Sequence, residues 1–275
     1  MTSETSANEG KTPVELEGDI FTLGTDSNGQ NYSSVEEMWQ AKGIAGASKE
    51  IIKELWYDKA AEWYEDNCPP TVDGVLGGFA SISDTDLAGS RAFLDTLREL
   101  RPCLDWSRGA ACECGAGIGR VTKGLLLDLG VTQVDVVEAS PRLLCESPDY
   151  IGSGASKCRF YCESLQDWSP PKRKYSIIWI QWVLCYLTDD DIIAFLKRCA
   201  DGMLEGGKGV IILKENTCGK EAFVVDSDDA SVCRSLPYWV KLVEAAGLRV
   251  VLQHLQDDFP DDIFPVPMLA LEAAT

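Results

Sequence analysis

The sequence predicts an α/β protein whose core is a doubly wound sheet of seven strands, preceded by a helical extension. Two observations carry this prediction. From residue 109 onward, short apolar runs alternate with segments in which apolar residues recur at helical spacing, as in a sheet flanked by helices. The first apolar run ends in a glycine-rich turn, ECGAGIGRV over residues 113–121, which leads into the helix-like TKGLLLDL. A chain of 275 residues can bury the core of one such domain.

The N-terminal third differs from the rest in composition and periodicity. Residues 1–33 are polar and acidic, which predicts a mobile leader. Helical spacing in SVEEMWQAKG, KEIIKELWYDKAAEWYEDN and SRAFLDTLREL predicts helices, and the Pro- and Gly-rich loop CPPTVDGVLGG interrupts them. Within this loop we expect a tight turn at Asp73-Gly74. We therefore divide the chain into a leader (1–33), a helical extension that includes this loop (34–105) and a core domain (106–275).

The core domain is predicted from its alternating strands and helices. One helix is DDDIIAFLKRCADGML, in which Ile192, Leu196, Cys199 and Met203 form a single apolar stripe. The strand candidates, in chain order, are GAACEC, TQVDVVEA, KCRFYC, YSIIWIQW, KGVIILKE, LRVVLQH and a last one near PMLALEA. Their alternation with helices predicts the doubly wound arrangement.

The acidic composition restricts the possible partners. The formal net charge is −19 at pH 7. Binding to a nucleic acid backbone needs clustered Lys and Arg, so we expect no nucleic acid partner. A negative field attracts a cationic substrate, although the same charge is also explained by solubility alone.

The apolar runs and the cysteines bear on location. No apolar run approaches the ~20 residues that cross a bilayer, and the N-terminus lacks the features of a signal peptide, so we expect no membrane partner. The eleven cysteines show no disulfide framework, and Cys112, Cys114 and Cys199 lie in apolar segments typical of buried thiols. With a single histidine we expect no metal site. These observations favour a reducing location, the cytoplasm or the nucleus.

The glycine-rich turn indicates a nucleotide-like cofactor. Gly115, Gly117 and Gly119 are spaced G-x-G-x-G, whereas the dinucleotide site of a Rossmann fold has G-x-G-x-x-G. Glu138 ends the next predicted strand, nineteen residues after Gly119, where a carboxylate can accept hydrogen bonds from both ribose hydroxyls. The spacing favours S-adenosylmethionine (AdoMet) bound to the Rossmann-like sheet of a class I methyltransferase. NAD and an ordinary glycine turn are the alternatives.

Six segments together extend this interpretation to most of the chain: CPPTVDGVLGGF, ECGAGIGRVTKGLL, SLQDW, IIWIQWVL, LKEN and DSDDASVCR. Over roughly residues 60–271 the chain resembles the protein α-N-terminal methyltransferases, which are class I AdoMet-dependent enzymes. The resemblance implies that the protein methylates the free α-amino group of proteins that begin Xaa-Pro-Lys. Two other functions stay open: methylation of a small molecule, and weakly active, AdoMet-binding recognition of cationic N-termini.

Carried over position by position, the resemblance implies a cofactor site. Gly115 and Gly117 would lie against AdoMet, and Arg120 would form a bidentate pair with its methionine carboxylate. Glu138 would hold the ribose. The other implied cofactor residues are Ala139 and Ser140 beside the ribose, Leu165 and Gln166 around the adenine, and Gln181 at the methionine end.

The same resemblance implies a peptide site. Asp229 would be the catalytic base and Asp226 the partner of the substrate lysine, although these aspartates could instead cap a helix that begins at SVCRSLPYW. The other implied substrate residues are Leu76 and Gly77 at the incoming N-terminus, Trp182 as an aromatic wall against the proline, Asn216 at the peptide backbone, and Asp262 on the rim.

Two positions depart from the family pattern. The family has the aromatic pair Tyr-Trp before the proline-containing loop, whereas this chain has Trp63-Tyr64. The family has a histidine where this chain has Tyr186, and for the only histidine, His254, we expect a structural role in a late strand. A phenol with a pKa of ~10 is a poor base near neutral pH. We therefore expect Asp229 to carry the proton transfer, with Tyr186 as its hydrogen-bond partner.

Overall fold

The computed structural model describes residues 23–219 and 222–274. Within these ranges the strands are β1 (Gly24–Asp26), β2 (Asn31–Tyr32), β3 (Ala110–Cys114), β4 (Val134–Glu138), β5 (Cys158–Cys162), β6 (Tyr175–Gln181), β7 (Val210–Lys214), β8 (Thr217–Cys218), β9 (Phe223–Asp226), β10 (Ser231–Ser235), β11 (Leu248–Leu255) and β12 (Pro267–Ala273). The helices are α1 (Val35–Ala41), α2 (Lys49–Ile52), α3 (Asp58–Asn67), α4 (Val72–Val75), α5 (Ser83–Leu100), α6 (Arg120–Gly124), α7 (Pro141–Ile151), α8 (Asp189–Gly202) and α9 (Leu236–Ala245). A π-helical stretch, Lys53–Tyr57, joins α2 to α3.

The main sheet contains, within the described residues, seven strands in the order β11-β12-β7-β6-β3-β4-β5. The strands from β7 to β5 are parallel, and β12 pairs antiparallel with β7 and β11. All residues of β3, β6 and β7 are buried, as expected for parallel strands covered on both faces. The predicted doubly wound, Rossmann-like sheet is confirmed, and the seven predicted strands are the strands of this sheet.

Helices cover both faces of the main sheet, because successive strand residues point to opposite sides. On one face Ile178 and Ile211 belong to the same apolar cluster as Phe195 of α8. On the other face Ile177 shares a cluster with Leu94 of α5. Burial of each such side chain contributes about 1.5–3 kcal/mol of hydrophobic free energy, so these two clusters hold the helices against the sheet.

The order of the strands determines where a ligand can bind. β3 lies between β4 and β6, so the chain leaves β3 toward one side of the sheet and later returns to its other side. At such a switch point the loops after neighbouring parallel strands separate and leave a crevice at their carboxyl ends. The glycine-rich turn follows β3 and therefore lies at this crevice.

A small sheet, in the order β2-β1-β9-β10-β8, corrects the prediction for the leader. The predicted mobile leader is wrong for residues 24–32, which form β1 and β2. β1 pairs in parallel with β9, and the ring of Tyr32 is buried with its centroid 6.3 Å from that of Phe223. Tertiary pairing with a distant strand thus orders a segment whose composition is polar. Residues 1–22 of the predicted leader lie outside the described residues.

Two local expectations also need correction. Asp226 and Asp229 do not cap a helix at SVCRSLPYW, because Ser231–Ser235 form β10 and α9 begins only at Leu236. The expected tight turn at Asp73-Gly74 is wrong as well, since Val72–Val75 form α4, capped by the Thr71 side chain. A Cβ atom on Gly74 would lie 1.9 Å from the Pro69 carbonyl oxygen, so the helix turn passes too close to the prolines for any side chain.

The cysteines are free thiols in this structure, and Cys112, Cys114 and Cys199 are buried as predicted. Among the described residues, none of the helices combines the length and the apolar character of a membrane span. The same residues include no group of three or more His, Cys, Asp or Glu side chains arranged to hold a metal ion.

Candidate active site

A cavity of about 1120 Å³ opens at the crevice beside β3. Its walls come from the glycine-rich turn, the ends of β4 and β6, the loop with α4, and the helical extension. The predicted site residues that line it are Leu76, Gly115, Gly117, Arg120, Glu138, Ala139, Ser140, Leu165, Gln166, Gln181, Trp182 and Tyr186. The predicted residues outside its lining are Gly77, Asn216, Asp226, Asp229 and Asp262. The structure therefore brings the whole predicted cofactor set together and only part of the predicted peptide set.

The glycine-rich turn requires a bare backbone. Gly115 and Gly117 have φ angles of 69° and 55°, in the left-handed region that glycine tolerates. A Cβ atom on Gly115 would lie 2.5 Å from Val183. The turn is tied to the next strand, since Glu138 accepts hydrogen bonds from the N–H of Gly117 and of Ser140, both at 2.8 Å.

Glu138 keeps acceptor capacity toward the cavity. A carboxylate offers about four acceptor positions, and the two backbone bonds use one on each oxygen. Burial raises the pKa of this carboxyl group above its ordinary value, although the backbone donors oppose the shift. The remaining lone pairs can accept two vicinal hydroxyls, so the residues present fit the ribose of AdoMet.

A buried ionic network lies behind the other end of the cavity. Asp86 of α5 contacts Arg120 Nη2 at 2.7 Å and Lys214 Nζ at 2.6 Å, and it accepts a hydrogen bond from Gln181 Nε2 at 2.9 Å. Burial raises the pKa of Asp86, but the two cations more than offset this effect and hold the pKa below its usual value. Burial lowers the pKa of Lys214 to about 8. Of these two cations only Arg120 lines the cavity, where its guanidinium can attract an anionic group such as the methionine carboxylate.

Sequence reasoning missed Asp86 and Lys214, although one signal was present. Asp86 lies on the same face of α5 as Ser90, Phe93 and Leu97, all of which are buried. A charged residue on the apolar stripe of a helix is rarely tolerated without a partner. That pattern predicts a buried cation, but it does not identify which one.

Asp229 and Tyr186 form the hydrogen bond that was expected. The Tyr186 hydroxyl donates to Asp229 Oδ2 at 3.3 Å, and Asp229 Oδ1 accepts from the Ser231 N–H at 3.0 Å. The hydroxyl of Tyr64, which sequence reasoning left without a role, donates to Tyr186 at 3.1 Å. The two positions that depart from the family pattern therefore touch each other.

The pKa shifts of Tyr186 and Asp229 show which of the two donates the hydrogen bond and which can accept a proton. Burial raises the pKa of Tyr186 well above that of a free phenol, so Tyr186 stays protonated and donates. Burial, with the nearby charge of Asp226, also raises the pKa of Asp229. Asp229 is thus the group that can accept a proton, and Tyr186 can only orient it.

Trp182 connects the cofactor residues to the predicted peptide residues. It has a φ angle of 53°, a conformation that costs a non-glycine residue free energy and tends to occur at functional sites. Its indole N–H donates to Asn216 Oδ1 at 3.1 Å, and its ring lies 5.7 Å from the guanidinium carbon of Arg120. The backbone N–H of Trp182 is held by the Lys214 carbonyl at 3.1 Å.

The remaining predicted residues lie farther out. Asp226 is exposed at the end of β9, where its Oδ1 accepts from the Asp228 N–H at 2.8 Å. Asp262 is exposed in the loop between β11 and β12. His254 pairs with Asp257 at 2.9 Å on an exposed part of β11, so it forms a surface contact.

Comparison with known proteins agrees with this geometry. Residues 52–272 match the family described as AdoMet dependent proline di-methyltransferase. An N-terminal Xaa-Pro-Lys N-methyltransferase 1 of Danio rerio is 41% identical over 218 residues, which cover 78% of this chain and 95% of that protein. An Alpha N-terminal protein methyltransferase 1 of Arabidopsis thaliana is 37% identical over 261 residues, covering 92% and 91%.

A solved structure supports the same assignment. A SAM-dependent methyltransferase of Leishmania major superposes with a TM-score of 0.81 at 34% identity, covering 95% of this chain and 100% of that one. The family match spans most of the described chain, and the relatives are matched over nearly their full lengths. The chain therefore belongs to the AdoMet-dependent proline di-methyltransferase family, and AdoMet is its cofactor.

Proposed function

We propose that the protein transfers methyl groups from AdoMet to the free α-amino group of proteins whose N-terminus reads Xaa-Pro-Lys. The names of the relatives in Danio rerio and Arabidopsis thaliana support this substrate. The observation that carries the proposal is the position of Asp229: its carboxylate is one hydrogen bond away from Tyr186, which lines the cavity. A base at this position can serve an amine that reaches the cofactor from the peptide side.

The chemistry of an α-amino group explains why such a base is needed. When bound, AdoMet supplies an electrophilic methyl group, and the protein must present an uncharged nitrogen to it. A free α-amino group has a pKa of ~7.7–8.0 and is mostly protonated at neutral pH. Asp229 can take this proton, and its raised pKa brings it closer to that of the amine. The Tyr186 hydroxyl holds the carboxylate in place during the transfer.

Recognition of the peptide is assigned to the outer residues. Asp226 carries an exposed carboxylate on the same hairpin as Asp229, where it can meet the ammonium group of a lysine at position three. Trp182 offers an aromatic face to the proline, and its hydrogen bond to Asn216 orients that amide for the peptide backbone. Leu76 lines the cavity, and we assign it with Gly77 to the incoming N-terminus and the exposed Asp262 to the outer rim of the peptide site.

Mass spectrometry of three peptides tests this function. A peptide that begins Xaa-Pro-Lys should gain methyl groups on its first residue when it is incubated with the protein and AdoMet. Its N-acetylated twin should not react, because an amide nitrogen lacks a nucleophilic lone pair, and a twin with Gln at position three should react more slowly. Methylation of the lysine side chain would refute the α-amine assignment. AdoMet binding without any peptide product would favour a small-molecule substrate or a weakly active binding protein.

We also propose that the protein works in a reducing compartment, the cytoplasm or the nucleus. The eleven free thiols support this location, since an oxidising environment favours disulfides. Microscopy of a tagged chain in its host cells is the direct test.

A further inference from the structure

The segment 24–42 lies outside the family match, which begins at residue 52, and yet it contacts the hairpin that carries Asp226 and Asp229. β1 pairs in parallel with β9 over three residues, and the Ser27 N–H donates to the Val225 carbonyl at 2.9 Å. The contact is close: a Cβ atom on Gly24 would lie 2.1 Å from the ring of Phe223. The segment therefore packs closely against β9.

The turn between β9 and β10 is held by side chains from this segment and from α3. Lys42 donates to Ser227 Oγ at 3.0 Å, and the Ser227 N–H donates to Ser27 Oγ at 3.0 Å. On the other side, Lys59 of α3 donates to the Ser227 carbonyl. Ser227 thus has three partners that come from about 170–200 residues earlier in the chain.

Lys42 is itself held firmly. It pairs with Asp26 Oδ2 at 3.0 Å, and the same oxygen accepts from the Tyr32 hydroxyl at 2.8 Å. Asp26 is also bonded by the backbone N–H of Asn28 and of Gln30. Burial opposes ionisation of Asp26, but these partners outweigh it and lower the pKa to about 2. The Lys42 ammonium is therefore anchored on a permanent buried anion.

The turn needs such support. It carries Asp226, Asp228 and Asp229 within four residues, and these carboxylates repel one another. Without β1, β9 would become the edge of the small sheet, and the turn would lose the contacts from Ser27 and Lys42 and keep the one from Lys59. The separation between the two proposed substrate carboxylates would then vary.

We infer that β1, β2 and α1 form an N-terminal clamp (residues 24–42) that positions the turn Asp226–Asp229 for the substrate, with Lys42 and Ser27 as its positioning residues. The inference rests on the proposed function. The clamp sets the distance between the carboxylate that meets the substrate lysine and the carboxylate that accepts the proton. Loss of the clamp therefore reduces the preference for lysine at position three, whereas AdoMet binding is left intact.

The test compares Lys42→Met with a matched control, Lys174→Met, in the full chain. Lys42 and Lys174 are about equally exposed, at 21% and 23%, and each pairs with a buried aspartate, Asp26 or Asp135. Lys174 directly precedes β6, so it lies near the amino ends of the parallel strands, whereas the cavity lies at their carboxyl ends. The readout is the ratio of kcat/KM for an Xaa-Pro-Lys peptide to that for its Xaa-Pro-Gln twin, which does not depend on the folded fraction. Calorimetry gives the AdoMet affinity of each variant.

We expect the ratio to fall about two- to tenfold in Lys42→Met, the equivalent of one hydrogen bond, and to stay at the parent value in Lys174→Met. Ser27→Ala changes no charge and should lower the ratio in the same direction, so it decides the case if Lys42→Met folds poorly. If the parent is active and the ratio in Lys42→Met and Ser27→Ala equals that of the parent, the clamp is overturned. A raised ratio in Lys42→Met also overturns the clamp. It would mean that removal of the Lys42 charge only strengthens the attraction between the turn carboxylates and the substrate lysine. A parent that methylates neither peptide overturns the proposed function and the clamp with it.

Discussion

The residues proposed to bind the cofactor and those proposed to bind the peptide are held in different ways, and we call the two groups the cofactor side and the peptide side. The cofactor side consists of Gly115–Arg120, Glu138 and Gln181, which directly follow or end β3, β4 and β6 of one sheet. Its polar groups are bonded to buried partners such as Asp86. The peptide side consists of the turn Asp226–Asp229 of the small sheet, in which Asp226 and Asp228 are exposed and Asp229 is half-buried.

Because of this difference, we expect substitutions on the two sides to change different properties of the protein. A residue of the cofactor side is part of the main core, so its loss should reduce both the free energy of unfolding and the AdoMet affinity. The peptide side depends on pairing between strands about 200 residues apart in sequence, and it packs against the core at its margin. Its residues should therefore change catalysis and peptide selection with little effect on AdoMet. Five substitutions test this separation.

The largest effect is expected for Asp229→Asn. If Asp229 is the base, its loss should lower the single-turnover rate by ~10²–10⁴, the usual contribution of a positioned acid–base group. AdoMet affinity, measured by calorimetry, should stay at the parent value. Asp228→Asn is the control, because Asp228 lies in the same exposed turn and only its backbone N–H is bonded to Asp226. Equal losses in both variants would indicate an effect of charge in the turn and contradict the assignment of the base.

Asp86→Asn tests the cofactor side through stability. The change leaves Arg120 and Lys214 as two buried cations without a carboxylate, which should cost about 3–5 kcal/mol of the free energy of unfolding. The pKa of Asp86 is lowered in the folded protein, so its stabilisation is present above the unfolded pKa of ~3.9 and is lost as the pH falls through the folded value. Urea titrations at neutral and acidic pH should show a smaller stability difference between parent and variant in acid. A variant as stable as the parent at neutral pH would show that the network is not structural.

The same contrast explains how much the sequence could predict. The seven strands of the main sheet are apolar runs bounded by turns, so local pattern is sufficient to predict them. The residues predicted to bind the cofactor lie at the ends of these strands, and the structure brings them to one cavity. β1, β2 and β8 have only two or three residues each, and their order comes from pairing with distant strands. No periodicity can develop over so few residues. The contact between Tyr64 and Tyr186 is likewise tertiary: the sequence shows that both positions depart from the family pattern, but not that they touch.

Glu138→Ala should act on AdoMet binding. Hydrogen bonds to a charged group are lost, and we expect a loss of roughly 1.5–3 kcal/mol in AdoMet binding free energy. The N–H groups of Gly117 and Ser140 also lose their acceptor, which should loosen the glycine-rich turn. The Lys-to-Gln preference for peptides should stay unchanged at saturating AdoMet. An unchanged AdoMet affinity, or tight binding of NAD, would contradict the cofactor site.

The smallest effect is expected for Tyr186→Phe, which removes one hydroxyl and its bond to Asp229. The worth of one such hydrogen bond, about 0.5–1.5 kcal/mol, corresponds to a rate loss of about two- to tenfold. The bond lowers the pKa of Asp229, so its loss should raise that pKa further. If Asp229 is the base, it acts in its ionised form, so activity is lost as the pH falls through this pKa. The acid limb of the single-turnover rate should therefore move to higher pH, while the contribution of the substrate amine is common to parent and variant.

Tyr186→His completes this comparison, because it restores the residue that the family has at this position. An imidazole with a pKa of ~6.5 can exchange protons near neutral pH, which the buried phenol cannot. We expect the rate of Tyr186→His near neutral pH to equal or exceed that of the parent, with AdoMet affinity unchanged in both variants. If instead Tyr186→Phe is as damaging as Asp229→Asn, the carboxylate does not act as the single base. The hydroxyls of Tyr64 and Tyr186 would then have to take part in the proton transfer themselves.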